Sequence, residues 1–154
     1  MPQVEEKLKE MGHELPSPPA PMANYIPGYR TGNLVFLSGV GPRSTDGSMA
    51  AGKLGGEFTV EQGYAAARTC ALNLLANLKS IIGDLDGVVH IVKILGMVNS
   101  APEFGQQPQV INGCSDLLVE ALGERGRHAR SAVGMSALPN GIPVEIEMIV
   151  EVSG

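Results

Sequence analysis

The last apolar stretch of the chain constrains the fold most. From Pro143 to Val152 the residues alternate. Val144, Ile146, Met148, Val150 and Val152 fall on one side, and Glu145, Glu147, Ile149 and Glu151 on the other. Side chains of a strand point to opposite faces in turn, so this period of two predicts a strand with one wholly apolar face. Such a face needs a cover, and two helical stripes supply it. Thr59-Val60-Glu61-Gln62 reads as a capping box that opens a long helix. Tyr64, Ala67, Ala71, Leu74, Leu75, Leu78, Ile81 and Ile82 form its apolar stripe, and Gly83 ends it. A second helix is predicted from Pro108 to Leu122, with Val110, Ile111, Cys114, Leu117, Leu118 and Ala121 on one side.

The other elements follow from punctuation and branching. Tyr25–Tyr29 and Leu34–Ser38 flank the turn-rich Arg30-Thr31-Gly32-Asn33 and read as a hairpin. Gly39–Gly56 holds six glycines and reads as a loop or frayed hairpin. Asp84–Gly87 is a turn, and the β-branched run Val88–Asn99 is a mostly buried strand. After a basic connector, Arg125–His128, the chain is expected to end in a hairpin of Ala129–Met135 and Pro143–Val152. The order ββ–α–β–α–ββ predicts an α+β sandwich, one sheet with two helices on one face. Its 154 residues suit one domain. Val4, Leu8, Met11 and Leu15 mark a short amphipathic helix that Gly12 ends or weakens, and Pro16–Pro21 an extended strap. The expected division is an N-terminal appendage, 1–21, and a domain proper, 22–154.

Charge and composition exclude several functions. Eleven Lys and Arg against sixteen Asp and Glu leave a net charge of −5, and Trp is absent. An acidic, aromatic-poor domain is a poor partner for phosphate backbones or for stacked bases, so nucleic acid is disfavoured. No apolar run approaches the length of a membrane span, and the charged N-terminus has no secretory core; the expectation is a cytoplasmic protein. Cys70 and Cys114 read as reduced core residues, and no spacing among them and His13, His90 and His128 fits a zinc motif. The nucleophile elbow, calcium loop, Walker sequence and dinucleotide fingerprint are all missing. Nothing suggests a metal or an organic cofactor. His90 reads as a satisfied core histidine.

What remains is Arg130, set among the small residues Ala129, Ser131, Ala132 and Gly134. Those neighbours leave room beside a guanidinium, which grips a carboxylate through two parallel hydrogen bonds. Periodicity alone favours instead a cross-strand Arg–Glu pair on a solvated edge.

The run His128-Ala129-Arg130-Ser131-Ala132-Val133-Gly134, with Leu138-Pro139 and Val144-Glu145-Ile146-Glu147, resembles the C-terminal signature of the Rid (YjgF) family. These are the reactive intermediate deaminases, long labelled "endoribonuclease L-PSP" or "translation initiation inhibitor". The likeness extends through Gly32–Gly39, Tyr25 and Val110-Ile111-Asn112, over about residues 22–153. It implies a chorismate-mutase-like fold and a homotrimer whose sheets line a central barrel, with pockets at the subunit interfaces. It also implies a cofactor-independent hydrolase of the 2-iminobutanoate/2-iminopropanoate deaminase kind. Such an enzyme hydrolyses enamines and imines such as 2-aminoacrylate to 2-keto acids and ammonium. By the same resemblance Arg130 clamps the substrate carboxylate and Glu145 holds the attacking water. Tyr25, Asn112, Ser38 and Gly39 line the pocket. Glu147 shares a face with Glu145, and spacing does not decide which of the two meets Arg130. The chain departs from the family pattern at Val40, Ser115, His128 and Ala132, where Gln, Tyr, Pro and Cys are common. A non-catalytic binder of small carboxylates is the second reading. A ribonuclease or translation inhibitor is the third, disfavoured by the acidic charge and by the lack of a histidine pair.

Overall fold

The computed structural model describes residues 2–18 and 24–154. Five strands form one mixed sheet in the order β1-β2-β5-β3-β4. They are β1 (Gly28–Thr31), β2 (Leu34–Val40), β3 (Val88–Asn99), β4 (Ala129–Met135) and β5 (Val144–Val152). The helices are α1 (Gln3–Glu10), α2 (Val60–Ile82) and α3 (Gln107–Leu122). The α+β architecture is as expected, with a third helix added to the two that cover the sheet.

The alternating segment becomes β5. Val144, Ile146, Met148, Val150 and Val152 are all buried, and they pack under α2 and α3 with Val35, Leu37, Ile91, Ile94 and Val98. The capping box forms as the sequence predicts: Thr59 Oγ1 accepts from the Gln62 amide, and Gln62 Oε1 accepts from the Thr59 amide. Gly83 closes α2 at φ 85°, a left-handed conformation that suits glycine. The close approach of α2 and α3 depends on Gly113, because a Cβ there would run into the Tyr64 carbonyl.

The expected C-terminal hairpin does not form. β4 pairs in parallel with β3, while β5 lies between β2 and β3, antiparallel to both. The reason is burial. A nine-residue strand with a wholly apolar face is best covered at the middle of the sheet, so the shorter β4 takes the edge. Parallel β3 and β4 are joined through α3, the usual crossover for such a pair. β1 and β2 do form the first hairpin, but its turn is Gly32-Asn33; Arg30 and Thr31 belong to β1, and Tyr25 precedes the strand. Gly39–Gly56 holds the end of β2, followed by loop with a single bridging position at Leu54.

The N-terminal segment is packed rather than detached. Val4 and Leu8 are each 1% exposed and join the core cluster. The carboxylate of Asp86 accepts from the amides of Gln3 and Val4 and so caps α1 from a distance. Glu5 pairs with Lys79 of α2 at 2.9 Å. Gly12 ends the helical run at φ 84°. The boundary expected at residues 21/22, and part of the proline strap, lie outside the described residues.

Candidate functional site

Two clusters contain the residues singled out by sequence, and they lie on opposite faces of the sheet. The first is at the β4 edge. Arg130 pairs in register with Ile94, which pairs with Met148, and both of those are buried on the helix side. The Arg130 side chain therefore points toward α3. Its Nη1 donates to Ser115 Oγ at 3.0 Å and its Nη2 to the Pro108 carbonyl at 3.4 Å. A guanidinium has five N–H groups, so the fork keeps capacity for a ligand. Asn112, Ser115, Asp116, Val119, Glu120, Arg127, His128 and Arg130 line a cavity of about 530 Å³ here. Thus Arg130 and Asn112 line the same cavity. The salt bridges among the described residues include none to Arg130, so the cross-strand Arg–Glu pair is absent.

Ser115 and His128, read from sequence as departures from the family pattern, are part of this wall. Ser115 Oγ lies 2.9 Å from His128 Nε2, and His128 Nδ1 lies 2.6 Å from the Gly126 carbonyl. A carbonyl only accepts, so Nδ1 carries the proton and Nε2 receives the Ser115 hydroxyl. Burial pushes the His128 imidazole below its ordinary pKa, and Arg130 and His90 add to that, against the Gly126 hydrogen bond. The basic connector is thus partly buried and hydrogen-bonded. Arg125 Nη1 donates to the Val88 carbonyl at 3.0 Å and ties it to β3. At the rim, Tyr64 donates to Asp116 at 2.7 Å, which raises the phenol's pKa.

Sequence signals for this wall existed. Ser115 follows Asn112 by three on a helix, and His128 precedes Arg130 by two at a strand start, so each pair shares a face. His90 is only half-buried; its Nε2 meets the Arg127 carbonyl. Cys70 and Cys114 are buried free thiols. Burial pushes Cys114 up to about 12 and Cys70 well above its ordinary value, so neither is a thiolate nucleophile at neutral pH.

The second cluster surrounds Glu145. Glu145 pairs with Met97, and Glu147 with Leu95, all on the face away from the helices. Beside Glu145, β2 bulges between Leu37 and Val40, at Ser38-Gly39. The bulge brings the Gly39 backbone against the carboxylate. A Cβ on Gly39 would stand 2.5 Å from Glu145 Oε2. Ser38 donates its hydroxyl to the Ile26 carbonyl at 2.7 Å, and its amide to that of Pro27 at 2.9 Å. These bonds fix the segment that carries Tyr25, which is 55% exposed. Burial, then the Glu147 charge, raises the Glu145 pKa.

Within one chain Arg130 therefore meets neither Glu145 nor Glu147. Among the described residues no group of three or more His, Cys, Asp or Glu is placed to hold a metal ion. Among the described residues no helix is long and apolar enough to cross a membrane.

The pattern of the family described as "YjgF/chorismate_mutase-like, putative endoribonuclease" matches residues 5–148. The chain belongs to the YjgF family. Protein TCP17 of Trypanosoma cruzi is 42% identical over 151 residues, 97% of this chain and 94% of that protein. Atu1372 of Agrobacterium tumefaciens, a protein of unknown function, superposes with a TM-score of 0.90 at 43% identity, over 97% of this chain and 92% of that one. RidA from an Antarctic Psychrobacter superposes with a TM-score of 0.61 at 26% identity, over 91% and 97% of the two chains. This YjgF-family chain thus follows Atu1372 closely along its length and RidA more coarsely. Its matched region starts inside α1, so the family pattern takes in the N-terminal helix.

Proposed function

We propose that this protein is a cytoplasmic, cofactor-independent hydrolase that converts small 2-imino acids and their enamine tautomers to 2-keto acids and ammonium. The observation that carries this reading is Arg130. It is a guanidinium with no carboxylate partner among the described residues, held by Ser115 and Pro108 over a cavity that Asn112 also lines. Such a fork suits a small carboxylate. A fixed imino acid and a fixed water react as a nearly unimolecular pair.

The split between the Arg130 and Glu145 clusters supports a site completed by a second copy of the chain. Tyr25, Ser38, Gly39 and Glu145 of one subunit would face Arg130 and Asn112 of its neighbour. That arrangement agrees with a homotrimer joined through the open sheet faces, where Phe36 is 44% exposed and Leu34 and Val133 are also uncovered. Light scattering should give three times the chain mass; a stable monomer would remove the shared site.

A non-catalytic carboxylate binder needs Arg130 alone, and a single chain supplies that anchor without Glu145. The test adds purified protein to an amino-acid oxidase or threonine dehydratase reaction, with semicarbazide trapping the imine. Hydrolase activity lowers the semicarbazone yield and speeds keto-acid release. Keto-acid binding without any such effect would establish the binder instead.

A further inference from the structure

The Arg130 cavity contains an ordered chain of hydrogen bonds that a carboxylate clamp alone does not require. It runs from the Arg130 Nη1 donor to Ser115 Oγ, from the Ser115 hydroxyl to His128 Nε2, and from His128 Nδ1–H to the Gly126 carbonyl. Each link has one direction, fixed by the carbonyl at one end and the guanidinium at the other. We infer that Ser115 and His128 form a proton relay for ligands held on Arg130. This rests on the reading of Arg130 as the carboxylate anchor.

The geometry suits acid–base work. A hydroxyl that donates to a neutral imidazole can take a proton on its oxygen as it passes its own to Nε2. Ser115 and His128 both line the cavity, so the relay reaches ligand space within one subunit. A relay on this wall gives the Arg130 cluster a base from its own subunit, on the face that Glu145 of the same chain does not reach. Burial favours the neutral ring, the form needed to accept a proton at neutral pH. The charged groups around His128 are Arg127 and Arg130 on its own segment, Asp116 and Glu120 on α3, and His90 on β3.

The steps balance. Water attacks C2 of the protonated imine, and the C=N π pair moves to nitrogen. The water proton goes to Ser115 Oγ while the Ser115 proton goes to His128 Nε2. The imidazolium then returns a proton by the same route to the amine nitrogen, and the C–N bond breaks with its electron pair on nitrogen. The C2 hydroxyl loses its proton to the departing ammonia, which leaves a 2-keto acid and ammonium.

The test compares wild type, His128→Gln, Ser115→Ala and Arg130→Ala on 2-iminobutanoate made by threonine dehydratase. Pyruvate binding is measured on the same proteins. The relay predicts that wild-type kcat falls on the acid side as His128 protonates. His128→Gln should abolish that limb and lower kcat about a hundredfold, with pyruvate Kd changed less than about threefold. Ser115→Ala should lower kcat similarly. An unchanged pH profile in His128→Gln, or a loss confined to KM, overturns the relay and leaves the hydrolase reading intact. A wild type without acceleration sinks the hydrolase reading, and NMR titration of the His128 ring then decides the relay. A shift in its midpoint on adding pyruvate, lost in Arg130→Ala, supports it; no shift overturns it.

Discussion

The Arg130 and Glu145 clusters differ in how far one chain completes them. Around Arg130, helix α3 and edge strand β4 supply a guanidinium, a hydroxyl and an imidazole that already satisfy one another. Around Glu145, a bulge in β2 sets the Gly39 backbone against the carboxylate, and burial and Glu147 work against its ionised form. The first cluster is preorganised by its own subunit. The second holds a carboxylate whose ionised form the single chain solvates and pairs poorly. That contrast supports the proposed site shared between copies: the self-sufficient half lies at the β4 edge, and Glu145 lies on the sheet face away from the helices.

The largest effect should come from removing what stands behind the preorganised half. Helix α1 contacts α3 and buries Val4 and Leu8. Burial of such side chains contributes about 1.5–3 kcal/mol each. Deleting residues 1–15 should therefore lower stability by about 3–6 kcal/mol, read by chemical denaturation. An unchanged midpoint would show that the appendage expected from sequence is correct and that α1 does not support α3.

Next comes the anchor itself. Arg130→Ala should lower turnover efficiency on imino acids about tenfold to a hundredfold, from the loss of a charge-assisted contact of about 1.5–3 kcal/mol. Its melting temperature should stay nearly unchanged, since Arg130 pairs with no carboxylate among the described residues. Arg130→Lys should recover only part, because an ammonium lacks the planar fork. A lower melting temperature with undiminished keto-acid binding would make Arg130 a structural residue.

The comparison breaks or holds on subunit mixing. Arg130→Ala and Glu145→Gln, each of low activity alone, are unfolded together and refolded. If each site takes one half from each of two neighbouring copies, random assortment restores about a quarter of the sites. Sites built within one chain would recover nothing. Purified mixed oligomers assayed for imine hydrolysis separate the two outcomes.

Much of this was legible in the sequence, and the limits have a physical pattern. Period and capping specify faces and ends. Hence the bounds of β3, the Thr59 capping box and the buried side of β5 were all readable. Period does not specify neighbours. The same alternation fits an edge strand and a central one, so β4 and β5 looked like a hairpin. That error carried into the site, because β4 and β5 as neighbours would make an Arg130–Glu145 or Arg130–Glu147 contact look natural. The Ser38-Gly39 bulge left no periodic mark, although its Ser-Gly was picked out through resemblance. Amphipathicity in α1 announced an apolar face without naming what it packs on; Asp86 and Lys79, the residues that hold it, are more than seventy positions away.

The smallest effect tests the unfinished half. The folded-state pKa of Glu145 is raised by burial and by Glu147. Below its unfolded value of about 4.5, both states are protonated and the group contributes nothing. As pH rises past that value, the unfolded chain releases the proton first, so stability falls until the folded-state pKa is reached. The resulting cost persists at neutral pH. Glu145→Gln removes the charge and should raise the melting temperature slightly at pH 7, with no gain near pH 4. Partial exposure of the carboxylate keeps the difference small. The assembled state sharpens the point. If a neighbouring copy gives Glu145 a donor, the gain should appear only in dilute, dissociated protein and should reverse in sign at concentrations where the oligomer forms. Thermal melts of both proteins at two pH values and two concentrations supply the comparison. A gain that persists unchanged at high concentration would mean that no neighbour completes the Glu145 half, and the shared site would fall.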